Sequence, residues 1–274
     1  MKIKFSKNIF QVWFQDIKNL KNKLFLENIN NWKTLNPDWN YKCVNDKDLQ
    51  NACKLYSNKC YNAYNSAKTM HTKIDLGKIV LIYLYGGIMI DMDMYVLRSL
   101  SSSDYINNFI QQYEHNGKDI LGISKFNSNC IESLISCGYF QFYNNAMLIS
   151  NPKNNLLKIY IDIIINNIYK YSNLHFSDYI YVQKTSGPIV FNSFIQTYGN
   201  AGPDGNLIIF DYTIFEPCNA NNNCVINNNT IAIHNYEMSW MPSIIKQLLL
   251  FYYSYFNYIL ILLAIIFYYL FKKN

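Results

Sequence analysis

Leu84-Tyr85-Gly86-Gly87-Ile88-Met89-Ile90-Asp91-Met92-Asp93 is the stretch that decides how this chain folds. Upstream of it, from Ser66 to Tyr85, apolar residues recur at helical intervals, and Gly86-Gly87 supplies residues free to adopt the positive φ at which helices end. Ile88-Met89-Ile90 then reads as a short strand, apolar on both faces and therefore buried. The strand runs straight into Asp91 and Asp93, which puts two carboxylates at the carboxyl edge of a sheet, where open α/β folds bind ligands. In extended backbone, positions 91 and 93 face one side and Met92 the other. Two ionised carboxylates this close repel each other, and the pair becomes favourable when a hard divalent cation joins them to a diphosphate.

The flanking sequence supplies the rest of a sheet. Asn8 to Phe14 predicts a strand, Leu20 to Trp32 a helix that stops before the turn Asn36-Pro37-Asp38, and Tyr41 to Val44 a second short strand. Strand-like and helix-like patterns alternate to about Pro242, which predicts a single α/β domain over residues 1–242. Leu248 to Phe271 follows, about 24 residues without a formal charge and long enough for roughly 36 Å of helix. Tyr252, Tyr253 and Tyr255 near one end and Tyr268 and Tyr269 near the other match interfacial aromatic belts, with Lys246, Lys272 and Lys273 outside them. The expectation is one C-terminal transmembrane helix over 248–271, a basic tail over 272–274, and a single-pass membrane protein of undetermined orientation. Met1 to Phe14 holds no long apolar core of a signal peptide.

Composition narrows the class. Of 274 residues, 50% are hydrophobic and only 15% charged, which argues against a disordered chain. The net charge of +6 suits an anionic partner such as a nucleotide diphosphate, but the lysines are scattered, so nucleic-acid binding is not expected. Seven cysteines, at 43, 53, 60, 130, 137, 218 and 224, show no zinc-site spacing, and the odd count favours reduced thiols. A Cys218 to Cys224 bridge and the sequon Asn228-Asn229-Thr230 would both have meaning in an oxidising lumen, and both are weaker readings than their absence.

One further pair belongs with the aspartates. Asp75 and Lys78 are spaced i, i+3 and share a helix face, either as an ordinary ion pair or as two groups gripping one ligand. A helix ending at Gly86-Gly87 and turning into the Asp91 strand lies alongside the carboxylate edge, which favours the second.

Gln11-Val12-Trp13-Phe14, Asn36-Pro37-Asp38-Trp39 with Tyr41, Asp75 to Lys78, Leu84 to Ile88 and Asp91-Met92-Asp93 together resemble glycosyltransferase family 32. Fragments of the resemblance return at Asn145-Ala146, Ser186-Gly187-Pro188 and Ile233-His234 to Ser239-Trp240. It implies a GT-A-like fold with a mostly parallel nucleotide-binding sheet. It also implies retaining, metal-dependent transfer of a hexose from a nucleotide sugar to a lipid or glycan acceptor, here near a membrane. By the same carry-over Trp13 stacks on the nucleotide base, and Asp75 and Lys78 bind donor-sugar hydroxyls. Asp91 and Asp93 hold the metal, Mn²⁺ ahead of Mg²⁺, with His234 completing its binding, while Ser239 and Trp240 close over the phosphates. The chain departs from the family at Lys78, where arginine is usual, and at Gln15, where glycine follows the first Trp-Phe. Two other classes compete: a catalytically silent membrane-anchored scaffold of the same fold, and a phosphoryl hydrolase, which would want further acidic ligands for a second metal.

Overall fold

The protein is described by a computed structural model covering residues 4–15, 17–128, 133, 137–173, 177–201, 205–219 and 223–235, with isolated positions 243, 244, 247 and 255. Its centre is a six-stranded sheet. In chain order the strands are β1 (Asn8–Val12), β2 (Asn40–Val44), β3 (Gly87–Ile90), β5 (Leu121–Lys125), β6 (Tyr143–Ser150) and β7 (Leu207–Phe210). Two further strands, β4 (Met94–Val96) and β8 (Ala232–His234), form a separate ladder at its edge. The order across the large sheet is β2-β1-β3-β6-β5-β7. β1 pairs parallel with β2 and β3, and β5 with β7, but β6 runs antiparallel to both its neighbours. Five of the six strands therefore run in one direction, the mostly parallel arrangement that was expected, and β6, inserted at the centre, enters from the opposite end.

Period-2 alternation distributes the strand residues between two layers of helix. Met89 and Leu148 face a core built with α2 (Asp46–Tyr56), α3 (Asn58–Ser66), α4 (Met70–Tyr85), α6 (Asn155–Lys170) and α8 (Pro188–Tyr198), the last two separated in the chain by α7 (Asp178–Thr185). Ile88, Ile90, Met147 and Ile149 face the other core, with Trp32 of α1 (Lys23–Leu35) and Ile106 and Phe109 of α5 (Asp104–Asn116). Gly86 and Gly87 end α4 and open β3 with φ of 65° and 111°, the conformation that the predicted turn required. α4 starts later than expected: Ser66 closes α3, and Thr69 caps a new helix by accepting from the Thr72 amide.

Two expectations need correction. Among the described residues no helix is long and apolar enough to cross a membrane, which overturns the single-pass anchor and the membrane localisation drawn from it. α4 and α6 are the longest described helices, at 16 residues each, about 24 Å against a hydrocarbon core of about 30 Å. The stretch 248–271 lies outside the described residues except for Tyr255. Freedom from charge is also a weaker property than apolarity, since that stretch carries six tyrosine hydroxyls, Ser254 and Asn257. The second correction concerns Cys218 and Cys224, which form a disulfide despite the odd cysteine count. The backbone brings them together, with Val225 N donating to Pro217 O and Asn219 N to Asn223 O. Thr230, the sequon hydroxyl, is buried and donates to Thr213 O.

Candidate active site

Asp91 and Asp93 do not alternate along an extended strand. Met94 N donates to Asp91 O at 3.1 Å, so residues 91–94 form a turn between β3 and β4. The turn still brings both carboxylates to one side and sends Met92 into an apolar cluster with Leu20 and Ile29. Its carbonyls are held from outside. Gln11 Nε2 donates to Asp91 O, Asn28 Nδ2 to Met92 O and Met94 O, and Trp32 Nε1 to Met94 O. Buried amides and an indole thus satisfy a backbone that has left the sheet, which keeps the turn in one shape.

The β4–β8 ladder adds the third group. Met94 pairs with His234, and Asn235 N donates to Asp93 O at 2.9 Å. His234 Nε2 consequently lies 3.3 Å from Asp93 Oδ1, and Asp91, Asp93 and His234 each offer a ligand atom within 4.8 Å of the others. On the α4 side, buried Lys78 reaches Asp75 at 3.2 Å and Asp91 at 3.3 Å. Asp75 Oδ2 also accepts from Ser186 Oγ at 2.8 Å and Oδ1 from Asn145 Nδ2 at 3.4 Å.

Electrostatics follow from this crowding. Burial raises the Asp91 carboxyl to about 6; Lys78 opposes the rise and Asp93 adds to it. About a third of the Asp91 side chain is open to water (35%), which tempers the burial effect. Burial alone would lower the Lys78 ammonium, but Asp91 and Asp75 outweigh it and hold it above its usual range. His234 behaves likewise: burial opposes its charge, and Glu216 and Asp93 hold it well above the ordinary imidazole value.

Of the predicted site residues, Asp75, Lys78, Asp91, Asp93 and His234 converge. Trp13 sits just beyond β1, its ring edge-on to Phe25 at 5.8 Å and packed against the cluster that holds Met92. Ser239 and Trp240 lie outside the described residues. Sequence reasoning missed Glu216, whose only signal is a lone acid inside the run Ile214-Phe215-Glu216-Pro217-Cys218. It also assigned no role to Asn145 or Ser186, although both fall within fragments of the family resemblance.

Residues 22–115, which hold α4 and the Asp91-Met92-Asp93 turn, match the family model described as the glycosyltransferase sugar-binding region containing the DXD motif. An uncharacterized glycosyltransferase of Acanthamoeba polyphaga mimivirus, L373, is 24% identical over 242 residues, covering 85% of this chain and 83% of the relative. The chain is a glycosyltransferase. Among solved structures, this glycosyltransferase is similar to the PaToxG glycosyltransferase, with a TM-score of 0.46, 15% identity, and 70% and 69% of the two chains covered. It is also similar to a glycosyltransferase involved in the glycosylation of the major capsid of PBCV-1, with a TM-score of 0.41, 12% identity, and 83% and 92% covered.

Proposed function

We propose that this glycosyltransferase takes a hexose from a nucleotide-sugar donor in a metal-dependent reaction that retains anomeric configuration. The observation that carries the reading is the convergence of Asp91, Asp93 and His234 beside the Lys78 and Asp75 pair. The donor set fits a divalent cation, since two carboxylates of one turn and an imidazole of β8 meet within 4.8 Å. A mixed oxygen and nitrogen set suits Mn²⁺ better than Mg²⁺, which prefers oxygen throughout. When bound, the ion supplies Lewis-acid stabilisation of the departing diphosphate.

The chain's own groups prepare for that charge. Asp91 and Asp93 would hold the metal through carboxylate oxygens and His234 through Nε2. Asp75, fixed by Ser186, Asn145 and Lys78, presents a carboxylate whose orientation is set before a sugar arrives, and Lys78 brings a positive charge to the same place. Trp13, only partly buried just beyond the end of β1, would stack on the nucleotide base through its ring face. Retention comes from the family 32 resemblance, as does the choice of a hexose. The resemblance offers a lipid or a glycan as acceptor, and with the anchor overturned nothing further favours the lipid.

The test is release of nucleoside diphosphate from a panel of nucleotide sugars by the full chain, with Mn²⁺, with EDTA, and with Asp93→Ala. Turnover of one donor, lost on chelation and on substitution, supports the reading. A folded protein that neither turns over nor binds any nucleotide in a metal-dependent way overturns it.

A further inference from the structure

Glu216 is completely buried, and nothing in the transfer reaction just described gives it a task. A buried carboxylate is costly unless something uses its charge, and the neighbouring Ile214 and Phe215 show that apolar side chains pack well in this segment. Its position is tightly determined. It follows α9 (Tyr212–Phe215), whose first turn is capped by Asp211, and its own amide donates to Tyr212 O at 2.8 Å. Ile231 N donates to Ile214 O and Thr230 Oγ1 to Thr213 O, tying α9 to the chain that enters β8. Glu216 and His234 are therefore placed by the same small assembly.

The contact between them concerns one atom. His234 Nδ1 lies 3.0 Å from Glu216 Oε2 and 3.3 Å from Asn144 Nδ2. These partners make opposite demands: the carboxylate only accepts, so it needs a proton on Nδ1, whereas the amide nitrogen only donates, so it needs a bare Nδ1. The charged partner is also the shorter, and a charge-assisted hydrogen bond is roughly twice as strong as a neutral one. The proton belongs on Nδ1. Nε2, the atom facing Asp93 at 3.3 Å, is then the nitrogen that would give up its proton to a binding cation.

We propose that Glu216 is the positioning residue of the metal site: it accepts a hydrogen bond from Nδ1–H of His234, fixes the ring, and commits Nε2 to the divalent cation. The assignment rests on the metal-binding reading of Asp91, Asp93 and His234. A carboxylate behind a ligating imidazole also raises the basicity of the ligand nitrogen, and loss of such a partner typically weakens metal binding about 10- to 100-fold.

The experiment is titration of the full chain with Mn²⁺ alone, followed by the electron paramagnetic resonance of the free ion, for the unmodified protein and Glu216→Gln. Melting of the metal-free proteins is measured beside it. Glu216→Gln is nearly isosteric and is expected to bind Mn²⁺ about 10- to 100-fold more weakly while its metal-free melting shows a folded protein. If that variant does not fold, Glu216→Asp, whose carboxylate is one methylene short of Nδ1, takes its place with the same weakening expected. Unchanged Mn²⁺ affinity in a folded variant overturns the role of Glu216 and leaves the metal site standing. Failure of the unmodified protein to bind Mn²⁺ overturns the metal reading and the assignment with it.

Discussion

Lys78 Nζ lies 3.3 Å from Asp91 Oδ1, so a cation near the middle of α4 touches the first aspartate of the Asp91-Met92-Asp93 turn. The same ammonium reaches Asp75, and its burial means that little water shares the load. Lys78→Met keeps the bulk and removes the charge. Loss of one such electrostatic group is expected to reduce donor turnover about 100-fold. It should also destabilise the fold by about 3 kcal/mol, read from urea denaturation, because two carboxylates lose their cation. Mn²⁺ binding should be no weaker, since the cation that competes for Asp91 has gone. A parallel loss of metal affinity would mean that Lys78 supports the turn instead of the donor.

Asn28 tests whether the turn is held from outside. Its amide donates to the carbonyls of Met92 at 3.0 Å and Met94 at 2.9 Å. Asn28→Ala leaves buried acceptors with fewer donors and is expected to cost about 1–3 kcal/mol in a denaturant titration. Weaker Mn²⁺ binding should accompany it, although Asn28 is not itself among the grouped ligands.

Gly87 is required by geometry at the entry to β3. A Cβ there would sit 2.3 Å from Asn8 O, on a backbone at φ 111°. Neither neighbour can give way, because Ile9 and Ile88 are paired across the two strands. Gly87→Ala is expected to lose about 3 kcal/mol or more, scored as yield of soluble protein and melting temperature.

The Cys218 to Cys224 bridge closes a short loop, with a sequence separation of 6. Chain-entropy arguments give a loop of this size about 2 kcal/mol of stabilisation. Denaturation with and without a reducing agent should differ by about that much, and Cys218→Ser should behave like the reduced protein. Identical curves, with the bridge confirmed by mass spectrometry, would mean that the ordering around Pro217 does not depend on it.

What could be read before the structure was local. Gly86-Gly87 end a helix, Ile88 to Ile90 are buried, and Asp75 and Lys78 share a face, because each of these depends on neighbours a few residues away. The turn at Asp91 was misread as extended, since its shape is imposed by Gln11, Asn28 and Trp32 from other elements. The antiparallel insertion of β6 depends on a pairing with no local signature. His234 was found only through the family resemblance, and Glu216 not at all, because nothing near either residue in the chain records that they meet. The supposed anchor shows the opposite failure, in which a local pattern was read as sufficient when it is only necessary.

The pairing of Met94 with His234 gives the enzyme a built-in order of assembly. During synthesis both aspartates emerge well before the histidine, and three of the six sheet strands, β5, β6 and β7, emerge between them. A growing chain can therefore bury much of its hydrophobic surface while its third ligand is still on the ribosome. An interrupted chain would carry a familiar-looking fold with an incomplete centre. For an experimenter, this order offers a split point: two fragments divided between Val96 and Ile231 should be separately silent and recover turnover only when they find each other.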